Sequence, residues 1–231
     1  MAPARRMRFA DRTEAGQRLA EELRRFAGQK PIVLALPRGG VPVGFEVARI
    51  LNAPLDVILV RKIGHPLQPE LAVGAIAESE TLVKVIDETA TTELGVSPSY
   101  LDQEIIRQTE EMERRRKLYL MDRPPIDIRN RTAIVVDDGI ATGATMRAAL
   151  RAVRQHAPSR IVLAVSVASP SVLESLRPEA DEIVCTFPTE DLGAVGAFYA
   201  DFQPVEDDVV IDLLARAAAT VEKPADIVSS P

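Results

Sequence analysis

The 231-residue chain has one cysteine, two histidines and no tryptophan, and each shortage closes a class of function. Cys185 alone cannot form an internal disulfide, so the chain suits a reducing compartment and carries no secreted disulfide framework. One cysteine and the distant His65 and His156 also lack the spacing of a structural zinc site. Three Tyr and six Phe are too few for a base-stacking platform on single-stranded nucleic acid. A net charge of −6 removes the global basic field that non-specific nucleic-acid binding needs. The apolar run in the first strand candidate, Ile32 to Leu36, is far short of a membrane span. The N-terminal Met-Ala-Pro-Ala-Arg-Arg-Met-Arg is basic, but no apolar segment follows it, which argues against a signal peptide. A soluble, cytoplasmic protein is expected, with no membrane or nucleic-acid partner.

What is present is enough apolar material for a core. Apolar residues make up 46% of the chain, and its length corresponds to roughly one and a half domains. Asp11 followed by Glu14 reads as a capping box, with Leu19, Leu23 and Phe26 at helical spacing and Gly28 as the stop. The short continuous apolar run Ile32–Leu36 has the character of a strand buried on both faces, and the mainly apolar segments Leu55–Val60, Ala133–Asp137, Ile161–Val167 and Ile183–Phe187 read as further strands. Helices are expected between them at Val41–Leu51, Gly143–Ala157 and Pro170–Leu176, with a last one at Glu206–Val221. Arg61–Glu70, punctuated by Gly64, Pro66 and Pro69, reads as a loop, and Leu71–Ala77 with Thr81–Ile86 as a hairpin. Ser97 and Pro98 open a long polar helix reaching about Met121. Alternation of this kind predicts an α/β fold: a central parallel sheet flanked by helices. One domain over 1–221 is expected, with a disordered tail at 222–231.

In such sheets ligands bind beyond the carboxyl ends of the strands, and one such end is unusually informative. Ala133-Ile134-Val135-Val136 runs into Asp137-Asp138, then Gly139-Ile140-Ala141-Thr142-Gly143-Ala144-Thr145 opens a helix. Small residues let backbone N–H groups approach an anion, and the helix N-terminus adds about half a positive charge. Thr142 and Thr145 add hydroxyl donors, so the loop suits a phosphate monoester. No Walker-type lysine is present. Two carboxylates beside a phosphate make sense if they face hydroxyls or a hydrated cation, and a sugar phosphate satisfies both halves.

The string resembles the phosphoribosyl-diphosphate (PRPP) signature of the type I phosphoribosyltransferases. That resemblance implies transfer of phosphoribosyl from PRPP to a nitrogenous base or amine, releasing pyrophosphate with Mg²⁺. It puts the ribose hydroxyls, and the metal through water, on Asp137 and Asp138. It puts the 5′-phosphate on Ala141, Thr142, Gly143, Ala144 and Thr145, and the diphosphate on Arg38, Gly39, Gly40, Arg61 and Lys62. Asp137, Asp138 and Lys62 become the catalytic candidates. The family's mobile loop falls on 64–77, where His65 and Glu70 are candidates for proton transfer. A small hood at 187–202 and an inserted helix at 97–121 complete the expected domain. In the hood Phe198 or Tyr199 offers a stacking face, Asp201 a contact to a ring N–H or a metal-bound water, and the alternative is local core packing. The 6-oxopurine enzymes carry an acidic residue where this chain has Ala141, which argues against hypoxanthine or guanine as acceptor. The basic run Arg114–Lys117 is flanked by Glu110, Glu111 and Glu113, as expected of a salt-bridged solvated face. A non-catalytic PRPP or nucleotide sensor on the same fold is the alternative function, and the oligomeric state stays open, a homo-oligomer included.

Overall fold

The computed structural model describes residues 9–79, 81–121 and 123–221. The expected disordered tail and the basic N-terminal octapeptide lie outside these residues. In chain order the elements are α1 (Arg12–Leu23), β1 (Ile32–Ala35), α2 (Gly40–Leu51), β2 (Leu55–Val57), β3 (Val60–His65), β4 (Gln68–Ala77) and β5 (Val83–Ile86). Then follow α3 (Glu88–Glu93), α4 (Pro98–Leu120), β6 (Thr132–Asp137), α5 (Ala144–Gln155), β7 (Arg160–Ala168), α6 (Pro170–Leu176), β8 (Glu182–Pro188) and α7 (Asp207–Val221). Five strands form a parallel sheet in the order β2-β1-β6-β7-β8. Both of its faces are covered. Along β1, Val33 and Ala35 join the cluster under α1, α2 and α7, while Ile32 and Leu34 join the cluster under α5. That two-residue alternation, with both faces covered, is why β1 reads as an unbroken apolar run.

Local capping chemistry sets the helix starts. The Asp11 carboxylate accepts the Glu14 N–H at 2.8 Å, and the Ser97 hydroxyl accepts the Tyr100 N–H at 3.2 Å. The expected helices at 41–51, 143–157, 170–176 and 206–221 all form within a residue or two of those bounds.

Two expectations need correction, and the short helix α3 is an element the sequence pattern does not predict. The strand expected over Leu55–Val60 is split: Leu55–Val57 pairs with β1, and Val60 starts a separate antiparallel sheet, β3-β4-β5. The loop expected over Arg61–Glu70 is mostly strand, because Val60–Ile63 pairs with Gly74–Ala77. Its Gly and Pro residues sit where a ladder tolerates them. Pro66 lies in the turn between His65 and Gln68, and register shifts at Gly64 absorb the irregularity. The expected hairpin of β4 and β5 is present. Among the described residues no helix is long and apolar enough to cross a membrane.

Candidate active site

The site lies where β6 leaves the sheet. Thr132 to Val136 are buried, and the strand delivers Asp137 half-buried and Asp138 only 8% exposed. The Asp138 N–H donates to Asp137 Oδ1 at 2.9 Å, fixing the pair side by side. Burial and the neighbouring Asp138 charge push the Asp137 carboxyl well above the usual carboxylate range. Burial raises Asp138 as well, and the Arg12 guanidinium opposes that rise. Arg12 Nε donates to Asp138 Oδ2 at 2.7 Å, while its guanidinium stacks 3.9 Å from the centroid of the Phe202 ring.

Immediately beyond the pair only glycine fits, and the next residue, Ile140, is buried. A Cβ added to Gly139 would lie 2.3 Å from Val195 Cγ1. Gly143 caps α5 with φ +83°, a conformation that favours glycine. The first-turn N–H groups of α5 have no acceptor within the helix, so they point outward as anion donors. Among the described residues neither the exposed Thr142 hydroxyl nor the half-buried Thr145 hydroxyl has a protein partner. Ala141 is exposed beside them.

The loop after β1 closes against this strand end. Leu36 donates its N–H to the Val136 carbonyl at 2.9 Å, which draws Arg38-Gly39-Gly40 over the carboxylates. A Cβ at Gly39 would lie 2.2 Å from Asp138 Oδ2, and one at Gly40 would lie 2.8 Å from the Val136 carbonyl oxygen and 3.1 Å from Asp137 Oδ1. Glycine at both positions is therefore a requirement of close approach. The half-exposed Arg38 has Nη1 3.5 Å from Glu206 Oε2, at the start of α7. Arg61 opens β3 half-buried, its Nε bonded to Gln108 Oε1 at 2.7 Å, and burial lowers its pKa with help from Arg115. Lys62 is exposed on the same strand.

The hood residues divide. Phe198 and Tyr199 are 1% and 3% exposed and pack with Phe9, Phe187 and Phe202, so the core alternative holds and neither ring offers a stacking face. Tyr199 instead donates its hydroxyl to the Asp138 carbonyl at 2.6 Å. Asp201 is exposed, and its carboxylate accepts the Gln203 N–H at 3.2 Å. In the 64–77 hairpin, His65 Nδ1 accepts the Leu67 N–H and its Nε2 faces the Leu94 carbonyl, so both ring nitrogens are engaged locally. The Glu70 side chain lies outside the described residues. The basic run on α4 is ion-paired as expected: Arg114 and Arg115 share Glu111, and those two hydrogen bonds hold its carboxyl at about 2. Arg12 is the residue that sequence reasoning missed.

The model of the phosphoribosyl transferase domain matches residues 10–191. The chain belongs to that family. It is 45% identical to the protein TT1426 from Thermus thermophilus, whose crystal structure superposes with a TM-score of 0.76 over 91% of this chain and 99% of that one. It is 42% identical over 209 residues to proteins of two Mycobacterium tuberculosis strains, each named "Putative phosphoribosyl transferase". Those residues are 90% of this chain and 47% of each relative, so the chain spans about half the length of the curated relatives it matches.

The donor set at the strand end suits Mg²⁺ held in part by a ligand. Mg²⁺ keeps several waters and takes one or two carboxylates plus substrate phosphates. Asp138 is committed to Arg12, which leaves Asp137 as the better-placed carboxylate. Among the described residues no group of three or more His, Cys, Asp or Glu is placed to hold a metal by itself.

Proposed function

We propose that the protein transfers the 5-phosphoribosyl group of PRPP to a nitrogenous acceptor, releasing pyrophosphate. The observation that carries this reading is a convergence at one strand end. Two carboxylates, an α5 N-terminus flanked by unpartnered threonine hydroxyls, and a glycine loop within contact distance of Asp138 meet there. Thr142, Thr145 and the first-turn N–H groups hold the 5′-phosphate, and the φ of Gly143 aims them. Asp137 accepts from a ribose hydroxyl, and Asp138, kept in place by Arg12 and Tyr199, accepts from its neighbour. The N–H groups of Gly39 and Gly40 with Arg38, Arg61 and Lys62 take the diphosphate.

In the step itself the bond from the anomeric carbon to the diphosphate oxygen breaks, and the acceptor nitrogen bonds to that carbon. The acceptor's proton leaves to a base or to solvent. Mg²⁺, when bound, would neutralise charge on the leaving diphosphate. The carboxylates also favour the positive charge that develops on the ribose ring.

A second reading, a non-catalytic PRPP sensor, is favoured by one observation: with Ala141 beside the phosphate loop and His65 locally engaged, no proton acceptor is evident among the described side chains. One experiment separates the two. Calorimetry should give saturable PRPP binding with Mg²⁺ that falls sharply in Thr142→Ala. Pyrophosphate release over a panel of purines, pyrimidines and amines should find an acceptor other than hypoxanthine or guanine. Binding without release supports the sensor, and absence of PRPP binding removes both readings.

A further inference from the structure

A cavity of about 510 Å³ opens at the other end of α5 from the phosphate loop. Its volume is within the range of small-molecule sites, roughly 300–1,000 Å³. α5 has twelve residues, about 18 Å at 1.5 Å per residue, so Gly143 and the cavity-lining His156 are at opposite ends of a rigid rod. The walls are the edge strand β2, the segment before β6, the turn after β4 and the last turn of α5. Leu34, Ile58, Leu59, Ile126, Ile128 and Val153 supply aliphatic surface.

The polar groups on this surface have one bias. Asp56, 6% exposed, lines the cavity; its Oδ1 accepts the Val57 N–H at 2.8 Å and its Oδ2 the Ile126 N–H at 2.9 Å. A carboxylate has about four acceptor positions, so two remain for a ligand. Ser79 Oγ lies 3.1 Å from His156 Nε2 on the facing wall. Glu78 is paired with Arg116, and Asp127 adds a further carboxylate at the rim. Among the described residues three carboxylates line the cavity against one guanidinium, Arg116, which is already paired with Glu78; burial pushes the Asp56 carboxyl above its usual range, and Arg123 and Arg116 oppose that rise. A flat ligand with N–H donors would find acceptors and apolar faces together.

We infer that this cavity is a second ligand site, separate from the phosphate loop, for a flat uncharged or cationic nitrogen heterocycle or amidine that presents N–H donors. The inference stands apart from the transferase reading, since no residue of the phosphate loop or the acidic pair lines the cavity.

The protein's two histidines make the test direct. His65 is in the β3–β4 hairpin and His156 lines the cavity, so their ring Cε1–H resonances report different places, assigned with His65→Gln. Adenine, cytosine and benzamidine are titrated into the full chain, with ribose 5-phosphate as the anionic control. At least one of the three should move the His156 resonance saturably, while ribose 5-phosphate leaves it still. Affinity should fall by about tenfold or more in Ser79→Trp, a difference of about 1.4 kcal/mol, and persist in Thr142→Ala. Nuclear Overhauser contacts from ligand protons to the methyls of Ile58, Ile126 and Ile128 give the same answer without any variant. The site is refuted if none of the three probes moves His156 up to its solubility limit. It is equally refuted if ribose 5-phosphate moves it as strongly, or if the shift survives Ser79→Trp and disappears in Thr142→Ala.

Discussion

Asp137→Asn should make the free protein more stable while weakening its ligand. Asn has nearly the same shape, and its Oδ1 can keep the 2.9 Å bond from the Asp138 N–H, so packing against Gly40 is retained. What disappears is a charge that burial and Asp138 both disfavour. The sign follows from linkage. A carboxyl whose folded pKa lies above its unfolded value favours the fold in its protonated form. That contribution is complete below the unfolded pKa of about 3.9 and is lost as pH rises through the folded value. The wild type is therefore handicapped at neutral and alkaline pH, and the neutral Asn is not. Relief at a strained functional site is typically about 0.5–2 kcal/mol. For a chain of this length each kcal/mol moves the melting temperature by roughly 2–4 °C. The gain should be largest near pH 8, shrink as pH falls, and vanish below about pH 4. Over the same series, affinity for ribose 5-phosphate should drop, since a hydrogen bond to a charged group contributes about 1.5–3 kcal/mol, or roughly 10- to 150-fold. Thermal denaturation from about pH 4 to pH 9 with calorimetry at neutral pH tests both arms. A destabilised variant at pH 8, or a gain independent of pH, would refute the argument that the free site holds Asp137 at a cost.

Two further substitutions examine the neighbours of the pair. Arg12→Met leaves Asp138 without its cation, and breaking a buried ion pair costs about 3–5 kcal/mol. Asp138 can escape part of that cost by taking a proton, so the loss in melting temperature should be greatest above neutral pH and fade towards acid; a pH-independent loss would assign Arg12 to packing alone. Gly39→Ala places a methyl 2.2 Å from Asp138 Oδ2, an overpacking that costs about 1–3 kcal/mol and should also weaken PRPP binding. Unchanged melting and unchanged binding together would mean that the glycine loop does not bear on the acidic pair.

The signature was legible because its physics is local. An apolar strand, two carboxylates and a threonine-glycine helix start are contiguous from Ala133 to Thr145, and each fixes its own backbone conformation. Ser97-Pro98 was legible for the same reason. What escaped depends on partners far along the chain. Arg12 meets Asp138 across 126 positions, and nothing around an arginine one residue after a helix cap marks it as a site residue. The β3 strand carries Gly64 and runs into Pro66, so its local chemistry reads as loop; only pairing with residues 74–77 makes it a strand. The aromatics near 198 were ambiguous between stacking face and core until burial decided for the core. Composition shows where rings are, and not which side of a sheet edge they pack on.

The free site is thus built at an electrostatic disadvantage that its ligand is suited to remove. Asp137 and Asp138 sit under a glycine loop, partly out of water, with one guanidinium, Arg12 on Asp138, against two carboxyls. Ribose hydroxyls would give each carboxylate a donor, and a hydrated cation would offset the charge that Arg12 cannot. Tyr199 and Arg12 hold Asp138 from behind, so on the proposed reading its oxygens would need no rearrangement to meet a sugar. A ligand that binds only the folded chain adds RT ln(1 + [L]/Kd), about 2.7 kcal/mol at a hundredfold excess over Kd. The stability withheld by the carboxylates in the free protein is of the same order. Ligand binding should therefore raise the melting temperature more at pH 8 than at pH 5, because ionised carboxylates are both the destabilised form of the free site and the acceptors the sugar needs.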